Sequence, residues 1–419
     1  MSDWGERRLH FIGIGGAGMS GLAMVCQQLG ATVTGSDRAD SSYMERLRRA
    51  GLNPMVGHDA SNLPEDDEVE IVRSTAIAAD NPELKKAIAS GMSVLHRGQL
   101  LAELCAEKRL IAVAGTHGKT TTTAMLVWAL RKIGADPAFF IGGEVPGLGP
   151  DGTAANAGWG EGEWVIAEAD ESDKSFLELH PEIAVITNIE MDHHSHWGSL
   201  VELREAFSEF ASRAQAVARP EDVDRSPSLD VPGHHNVLNA RAALAAIELA
   251  GFDVEAGAEA LADFPGVRRR LELKGERNGT AIYDDYAHHP TEVRAALSAL
   301  RELGAERLIA VFQPHLYSRT KAFAEEFGSA LALADEVVVL DVYPAREQPV
   351  GDLAGVNGLL VARAAADRMG GRPVTWAPTL EQARDAIEPR LGSGYVLATI
   401  GAGDVFALAE ALVENGAQR

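Results

Sequence analysis

The segment Leu110-Ile111-Ala112-Val113-Ala114-Gly115-Thr116-His117-Gly118-Lys119-Thr120-Thr121-Thr122-Thr123 runs from an apolar stretch through a glycine-bounded turn into a stretch that stays helical in pattern to Lys132. Five apolar residues followed by such a turn predict a buried parallel strand, a tight loop and a helix. A strict phosphate loop has glycine five positions before the Gly118-Lys119-Thr120 core, and here that position is Val113. The core survives, so nucleoside triphosphate binding is expected at Gly115, Thr116, His117, Gly118, Lys119, Thr120 and Thr121. Backbone N–H groups and the Lys119 ammonium would hold β- and γ-phosphates, and the Thr120 hydroxyl would ligate Mg²⁺.

A second cradle precedes it. Gly13-Ile14-Gly15-Gly16-Ala17-Gly18 follows the apolar run Leu9–Ile14 and opens a helical pattern, with Asp37 closing the next apolar run. Small residues let the backbone approach a diphosphate, and the helix start offers free N–H groups. The spacing fits a dinucleotide, another diphosphate ligand such as a nucleotide sugar, or a ligand-free β–α turn. Two acidic and histidine-rich runs also end apolar segments: Glu168-Ala169-Asp170-Glu171-Ser172-Asp173 and Asp192-His193-His194-Ser195-His196. A carboxylate one strand from a phosphate loop suits Mg²⁺. No cysteine or spaced fourth ligand supports a structural zinc there.

Apolar and helical segments alternate along all 419 residues, which predicts an α/β fold with mostly parallel sheets. With 38 Lys and Arg against 61 Asp and Glu, the formal charge is −23, which argues against nucleic acid as a partner. Cys26 and Cys105 are expected as small core residues rather than a disulfide. No secretory signal pattern or membrane-length apolar run is visible, so a cytoplasmic protein with no membrane insertion is expected, as a monomer or weak homodimer.

At this point the chain resembles the Mur ligase family over essentially its whole length. The resemblance rests on His10–Gly21, Ala114–Thr123, Glu168–Asp173, Thr187-Asn188-Ile189-Glu190, Asp192-His193, His235–Ala240, Gly266–Arg270, Asp284–Glu292, Phe312-Gln313-Pro314-His315 and Gly401–Asp404, which occur in family order. It implies three α/β domains: a Rossmann-like UDP-sugar domain (1–107), a trimmed P-loop-type ATP domain (108–262) and a Rossmann-like C-terminal domain (263–419) that closes over the site. It further implies that ATP phosphorylates the carboxylate of UDP-N-acetylmuramate and that the amine of L-alanine attacks the acyl phosphate.

Residue roles are implied in the same way. Lys119 contacts the γ-phosphate; Thr120, Glu168 and His193 hold Mg²⁺. Asn236 and Asn239 face adenine, and Arg270 and Asp285 approach phosphate and ribose. Gly15, Gly16, Ala17, Gly18 and Ser20 cradle the diphosphate of the UDP-sugar, with Asp37 nearer its uridine. Tyr286 and His288 touch substrate, and His288, His315 and Arg319 line the amino-acid side. Two departures stand out: Leu316 occupies a place where family members often carry arginine, and residues 210–233 hold only a polar loop where extra strands are usual. Other readings are a murein peptide-recycling ligase, an NAD-dependent oxidoreductase and a non-catalytic relative.

Overall fold

The computed structural model describes residues 3–65, 68–191, 197–345 and 347–417. Among the described residues seventeen strands form three sheets. The first holds β1 (Arg8–Ile12), β2 (Thr32–Asp37), β3 (Met55–Val56), β4 (Glu70–Arg73) and β5 (Val94–His96) in the order β3-β2-β1-β4-β5, all parallel. Its helices are α1 (Ala17–Gln28), α2 (Ser42–Arg49), α3 (Pro82–Ala89) and α4 (Arg97–Cys105).

The second sheet holds β6 (Arg109–Ala114), β7 (Ala138–Val145), β8 (Ala155–Gly158), β9 (Trp164–Glu168), β10 (Ile183–Ile186) and β11 (Ala216–Ala218), ordered β11-β10-β6-β9-β7-β8. Among its described strand pairs, β7–β8 is antiparallel and the rest are parallel. Helices α5 (Lys119–Lys132), α6 (Leu200–Ser212), α7 (His234–Leu249) and α8 (Val254–Ala260) accompany it. After β11 the chain returns through a loop to α7, with no further strand before β12.

The third sheet holds β12 (Glu272–Arg277), β13 (Thr280–Asp285), β14 (Arg307–Phe312), β15 (Glu336–Val339), β16 (Val374–Trp376) and β17 (Tyr395–Ile400), ordered β12-β13-β17-β14-β15-β16. Its helices are α9 (Pro290–Glu302), α10 (Tyr317–Leu331), α11 (Gly358–Ala366), α12 (Leu380–Ile387) and α13 (Phe406–Ala417). The apolar stretch Leu353–Met369 reads as one helix in sequence, but α11 starts only after Asn357, whose side chain accepts the Leu359 N–H. Gly355 just before it is left-handed, at φ +79°, which no helix interior tolerates.

Strand order explains where ligands can enter. β1 lies between β2 and β4, and β6 between β10 and β9, so each sheet reverses its winding at the strand that carries a glycine turn. A crevice opens at the carboxyl end of such a switch strand. β1, β6, β9 and β10 read as largely apolar runs and are buried along almost their whole length, as strands covered on both faces are.

The chain forms two compact units: 1–229 with 238–265, and 230–237 with 266–419. Within the first unit one apolar core serves both sheets, running from Leu9, Phe11 and Met19 to Ala112, Phe176, Phe207 and Phe210. Cys26 and Cys105 are buried, and burial lifts the Cys26 thiol to about 12, so it is an inert packing group. Among the described residues no helix is long and apolar enough to cross a membrane.

Phe176 is fully buried, with ring centroids 5.3 Å from both Phe207 and Phe210. Phe176→Ala should cost about 3–5 kcal/mol. Because the core is shared, calorimetry should show the first two sheets still melting together at a lower temperature.

Candidate functional site

The phosphate loop is shaped from below by the end of β10. The Asn188 side-chain oxygen accepts the His117 N–H at 2.9 Å, and its amide donates to the His117 carbonyl at 2.8 Å. The Asn188 carbonyl accepts the Thr116 N–H at 3.0 Å, and Thr187 Oγ1 donates to the His117 carbonyl at 2.7 Å. The Thr116 hydroxyl bonds the backbone of Glu190, and the His117 ring lies 3.0 Å from the Glu190 carboxylate. Gly115 (φ +143°) packs so tightly on Thr187 that a Cβ would overlap it, and a Cβ on Gly118 (φ +80°) would overlap the Asn239 side chain. Gly118 is also the N-cap of α5 and has no side chain to cap it, so the helix start is left for an anion. Thr121 is buried one residue beyond Thr120.

Lys119 lies among carboxylates. Its Nζ is 2.7 Å from Glu171 and donates to the Gly115 carbonyl at 2.7 Å. Burial opposes its charge, but Glu171, Asp170 and Glu168 outweigh that and hold its pKa above the ordinary value. Burial, with Asp170 ionised nearby, pushes the Glu171 carboxyl up to about 7 against the pull of Lys119. Asp170 stays well below the usual range: burial opposes this, but Arg97, Lys119 and Ser172 stabilise its charge. Arg97 opens α4 and spans Asp170 (2.6 Å) and Asp173 (3.0 Å).

Thr120 Oγ1 donates to Glu168 Oε1 at 2.9 Å, while Glu168 Oε2 accepts the Gly142 N–H at 2.6 Å. Two hard oxygen groups thus meet at the foot of the phosphate loop, a donor set that fits Mg²⁺. His193, the third expected ligand, lies outside the described residues.

In the first sheet, Gly13 (φ +87°) turns the chain out of β1, and Ser36 O accepts the N–H groups of Gly13 (2.8 Å) and Ile14 (3.0 Å). Gly16 is the N-cap of α1 and carries no side chain, so Ala17 and Gly18 begin a helix with an open N-terminus. The position of a Cβ on Gly18 is 3.5 Å from Arg97 Nη1, which places that cation beside the turn. Asp37 Oδ2 accepts the Gly15 N–H at 2.8 Å, so Asp37 braces the turn itself. Ser20 is also expected at the diphosphate. It is fully buried, its hydroxyl donates to the Ala17 carbonyl at 3.0 Å, and its N–H donates to Gly16. One helical turn into α1, both of its donors are satisfied internally.

The second unit gathers its own set. Arg270 stands 5.3 Å over the Tyr286 ring, Tyr286 meets His288 at 5.4 Å, and His288 meets His315 at 5.9 Å. His315 stacks on Tyr343 and lies 3.4 Å from Arg319, which is buried. Asp285 accepts the N–H groups of Ala287 and Leu271, both at 2.7 Å. Burial nevertheless pushes it up to about 6, opposed by Arg270 and those N–H groups. Asn236 donates to the Pro232 carbonyl at 2.8 Å from the first turn of α7; Asn239, one turn on, belongs to the first unit. Leu316 has φ +68°, a strained value for a leucine, at the N-cap of α10.

Several contributors were not singled out in the sequence reading: Gly142, Arg97, Tyr343 and the loop-shaping roles of Thr187, Asn188 and Glu190. Only the last three stood inside a quoted motif. Gly142 and Arg97 reach the site from segments with no motif.

Comparison with known proteins follows the same division. Residues 8–109 match the Mur ligase family, catalytic domain, residues 113–222 the Mur ligase middle domain, and residues 269–403 the Mur ligase, glutamate ligase domain. The chain is 43% identical to a UDP-N-acetylmuramate–L-alanine ligase from Renibacterium salmoninarum, covering 97% of this chain and 95% of that protein. That alignment spans 460 positions, so the relative carries residues that this chain of 419 lacks. The crystal structure of the UDP-N-acetylmuramate-alanine ligase from Thermotoga maritima superposes with a TM-score of 0.83 at 30% identity, covering 97% of this chain and 98% of that one. A murein peptide ligase from Psychrobacter arcticus shares the fold, with a TM-score of 0.70 at 23% identity over 99% of each chain.

His235 gives a pH test of the second unit. Burial, reinforced by Arg270, lowers its pKa from 6.5 to about 4. Between those values the unfolded chain binds a proton that the folded chain refuses, so stability is lost as pH falls through that window. His235→Gln should narrow the gap between urea midpoints measured at pH 7 and pH 5.

Proposed function

The chain belongs to the Mur ligase family, and from that premise we propose that it joins L-alanine to the carboxylate of UDP-N-acetylmuramate at the expense of ATP, a step of peptidoglycan precursor synthesis. The observation that carries this reading is the pair of anion cradles at two switch strands of one compact unit, one of them with Lys119 beside the Thr120–Glu168 pair. A nicotinamide oxidoreductase would leave that second cradle without a purpose. The domain scheme is 1–107 for UDP-sugar, 108–262 for ATP and 263–419 for the amino acid. Both ATP and UDP-sugars are cytoplasmic metabolites, and the reaction is assigned to that compartment.

A carboxylate is a poor electrophile. Transfer of the γ-phosphoryl group to it creates an acyl phosphate with a good leaving group. The α5 N–H groups and Lys119 hold the transferring phosphoryl group where its charge spreads over equatorial oxygens. Lys119 exchanges Glu171 for the phosphate, so its ammonium keeps an anionic partner. Thr120 and Glu168 would hold Mg²⁺, with His193 as a further ligand; when bound there, the ion neutralises phosphate charge. Gly15, Gly16, Ala17 and Gly18 receive the diphosphate. Asn236 and Asn239 face the adenine, and Arg270 and Asp285 the ATP phosphates and ribose. Tyr286 touches the substrate, and His288, His315 and Arg319 orient the amino acid. The amine attacks the acyl carbon, and the tetrahedral intermediate collapses to the amide with release of phosphate.

The test is phosphate release from ATP that requires both UDP-N-acetylmuramate and L-alanine; release with neither, or none with both, overturns the reading. A tripeptide competing better than L-alanine would assign the recycling reaction instead. Lys119→Ala should lower kcat about 10²–10³-fold. Thr120→Val should raise the Mg²⁺ concentration for half-maximal rate about tenfold, about 1.4 kcal/mol of metal affinity.

A further inference from the structure

Behind the Gly13–Gly18 turn lies a buried polar network that the ligation chemistry does not use. Its centre is the Glu83 carboxylate in the first turn of α3, fully buried. Ser36 Oγ donates to it (2.7 and 2.8 Å to its two oxygens), His10 Nε2 lies at 3.0 Å, His58 Nδ1 at 3.0 Å and Asn62 Nδ2 at 3.2 Å. His10 is itself fully buried, with its other ring nitrogen 2.8 Å from Thr34 Oγ1.

An ionised carboxylate only accepts, so every one of these groups must donate to it. That sets the proton positions. His10 carries its proton on Nε2 and His58 on Nδ1, while the Ser36 hydroxyl points at Glu83. The Ser36 oxygen can then accept from His58 Nδ1, 3.0 Å away. Burial raises the cost of the Glu83 charge, yet the four donors hold its pKa below the ordinary value.

The residue clamped most tightly is Ser36, and its carbonyl is the acceptor for the N–H groups of both Gly13 and Ile14. The next residue, Asp37, accepts the Gly15 N–H through its side chain and the Gly57 N–H through its backbone carbonyl. Glu83 therefore ties together β1 through His10, the end of β2 through Ser36, and the loop after β3 through His58 and Asn62. Those three segments set the position of the glycine turn.

We infer that Glu83 is a positioning residue for the nucleotide-sugar diphosphate: through Ser36 it holds the N–H groups of the glycine turn in the geometry that receives the anion. This rests on the reading of that turn as the UDP-sugar site. An amide in place of the carboxylate must aim an N–H at one of the donors, whichever way it faces, and the Ser36 peptide would shift to relieve the conflict.

The test is calorimetric titration of the full chain with UDP-N-acetylmuramate and, separately, with ATP. Glu83→Gln should raise the Kd for the UDP-sugar about tenfold and leave that for ATP within about twofold. In steady state the same variant should show a raised KM for the UDP-sugar at nearly unchanged kcat. Should Glu83→Gln fail to fold, the half-buried rim answers the same question. His58→Phe removes a donor and should weaken UDP-sugar binding about threefold, whereas His58→Asn, which restores an N–H near the Nδ1 position, should return it toward wild type. Unchanged UDP-sugar affinity in Glu83→Gln, equal weakening of both ligands, or identical behaviour of the two His58 variants overturns the inference and leaves the ligase reading standing. Wild-type protein that binds no UDP-sugar overturns both.

Discussion

Asn188 grips the phosphate loop by both backbone groups of one residue, His117. Its side-chain oxygen takes the His117 N–H, its side-chain amide serves the His117 carbonyl, and its own carbonyl takes the Thr116 N–H. A loop that had to satisfy those groups internally would curl into an ordinary turn and use the donors at its mouth. With them satisfied from below, the chain can pass through Gly115 and Gly118 at positive φ and deliver α5 with an uncapped start. Lys119, Thr120 and, through Thr120, Glu168 take their positions from that helix start.

Electrostatics then impose a second demand. A chain of charge −23 that receives two polyanions must concentrate its cations where the anions bind. Lys119 answers that demand in one cradle, and Arg97 stands beside the other. Each is held by carboxylates, Glu171 for the lysine and Asp170 with Asp173 for the arginine. Such pairing keeps a buried cation in place before substrate arrives, and an entering phosphate competes with a carboxylate rather than filling an uncompensated charge. Carboxylates inside a phosphate site, which look misplaced in a list of residues, thus have a physical purpose.

Much of this was legible in one dimension because it is local. The β6 run, the glycines of the loop and the helix of α5 are adjacent in sequence, and their apolar patterning and turn residues carry their own signal. The same holds for β1, Gly13–Gly18 and α1. The strands β3, β11 and β16 were not legible, being two or three residues long, nor were β7, β8 and β12, in which glycine, asparagine or charged residues interrupt the apolar run. Gly142 was not legible either: its role is the absence of a Cβ next to Glu168, and nothing in its own neighbourhood signals that. The hydrogen bond from the Ser20 hydroxyl to the Ala17 carbonyl was equally invisible, since it exists only once α1 is wound.

The sequence by itself determined the α/β class, the two cradles, the identity of the cation in the phosphate loop and the family to which the chain belongs, all through contiguous residues whose spacing survives folding unchanged. Family likeness paired Thr120 with Glu168, and tertiary structure alone decided the contact they make, which residues shape each loop from behind, that Asp37 braces its turn, and that the first two sheets share one core. Those outcomes depend on strand order and on contacts between residues tens of positions apart, such as Thr120 with Glu168 and Ser36 with Glu83. Parallel sheets place the ends of non-consecutive strands side by side, and only the assembled sheet sets which ends those are.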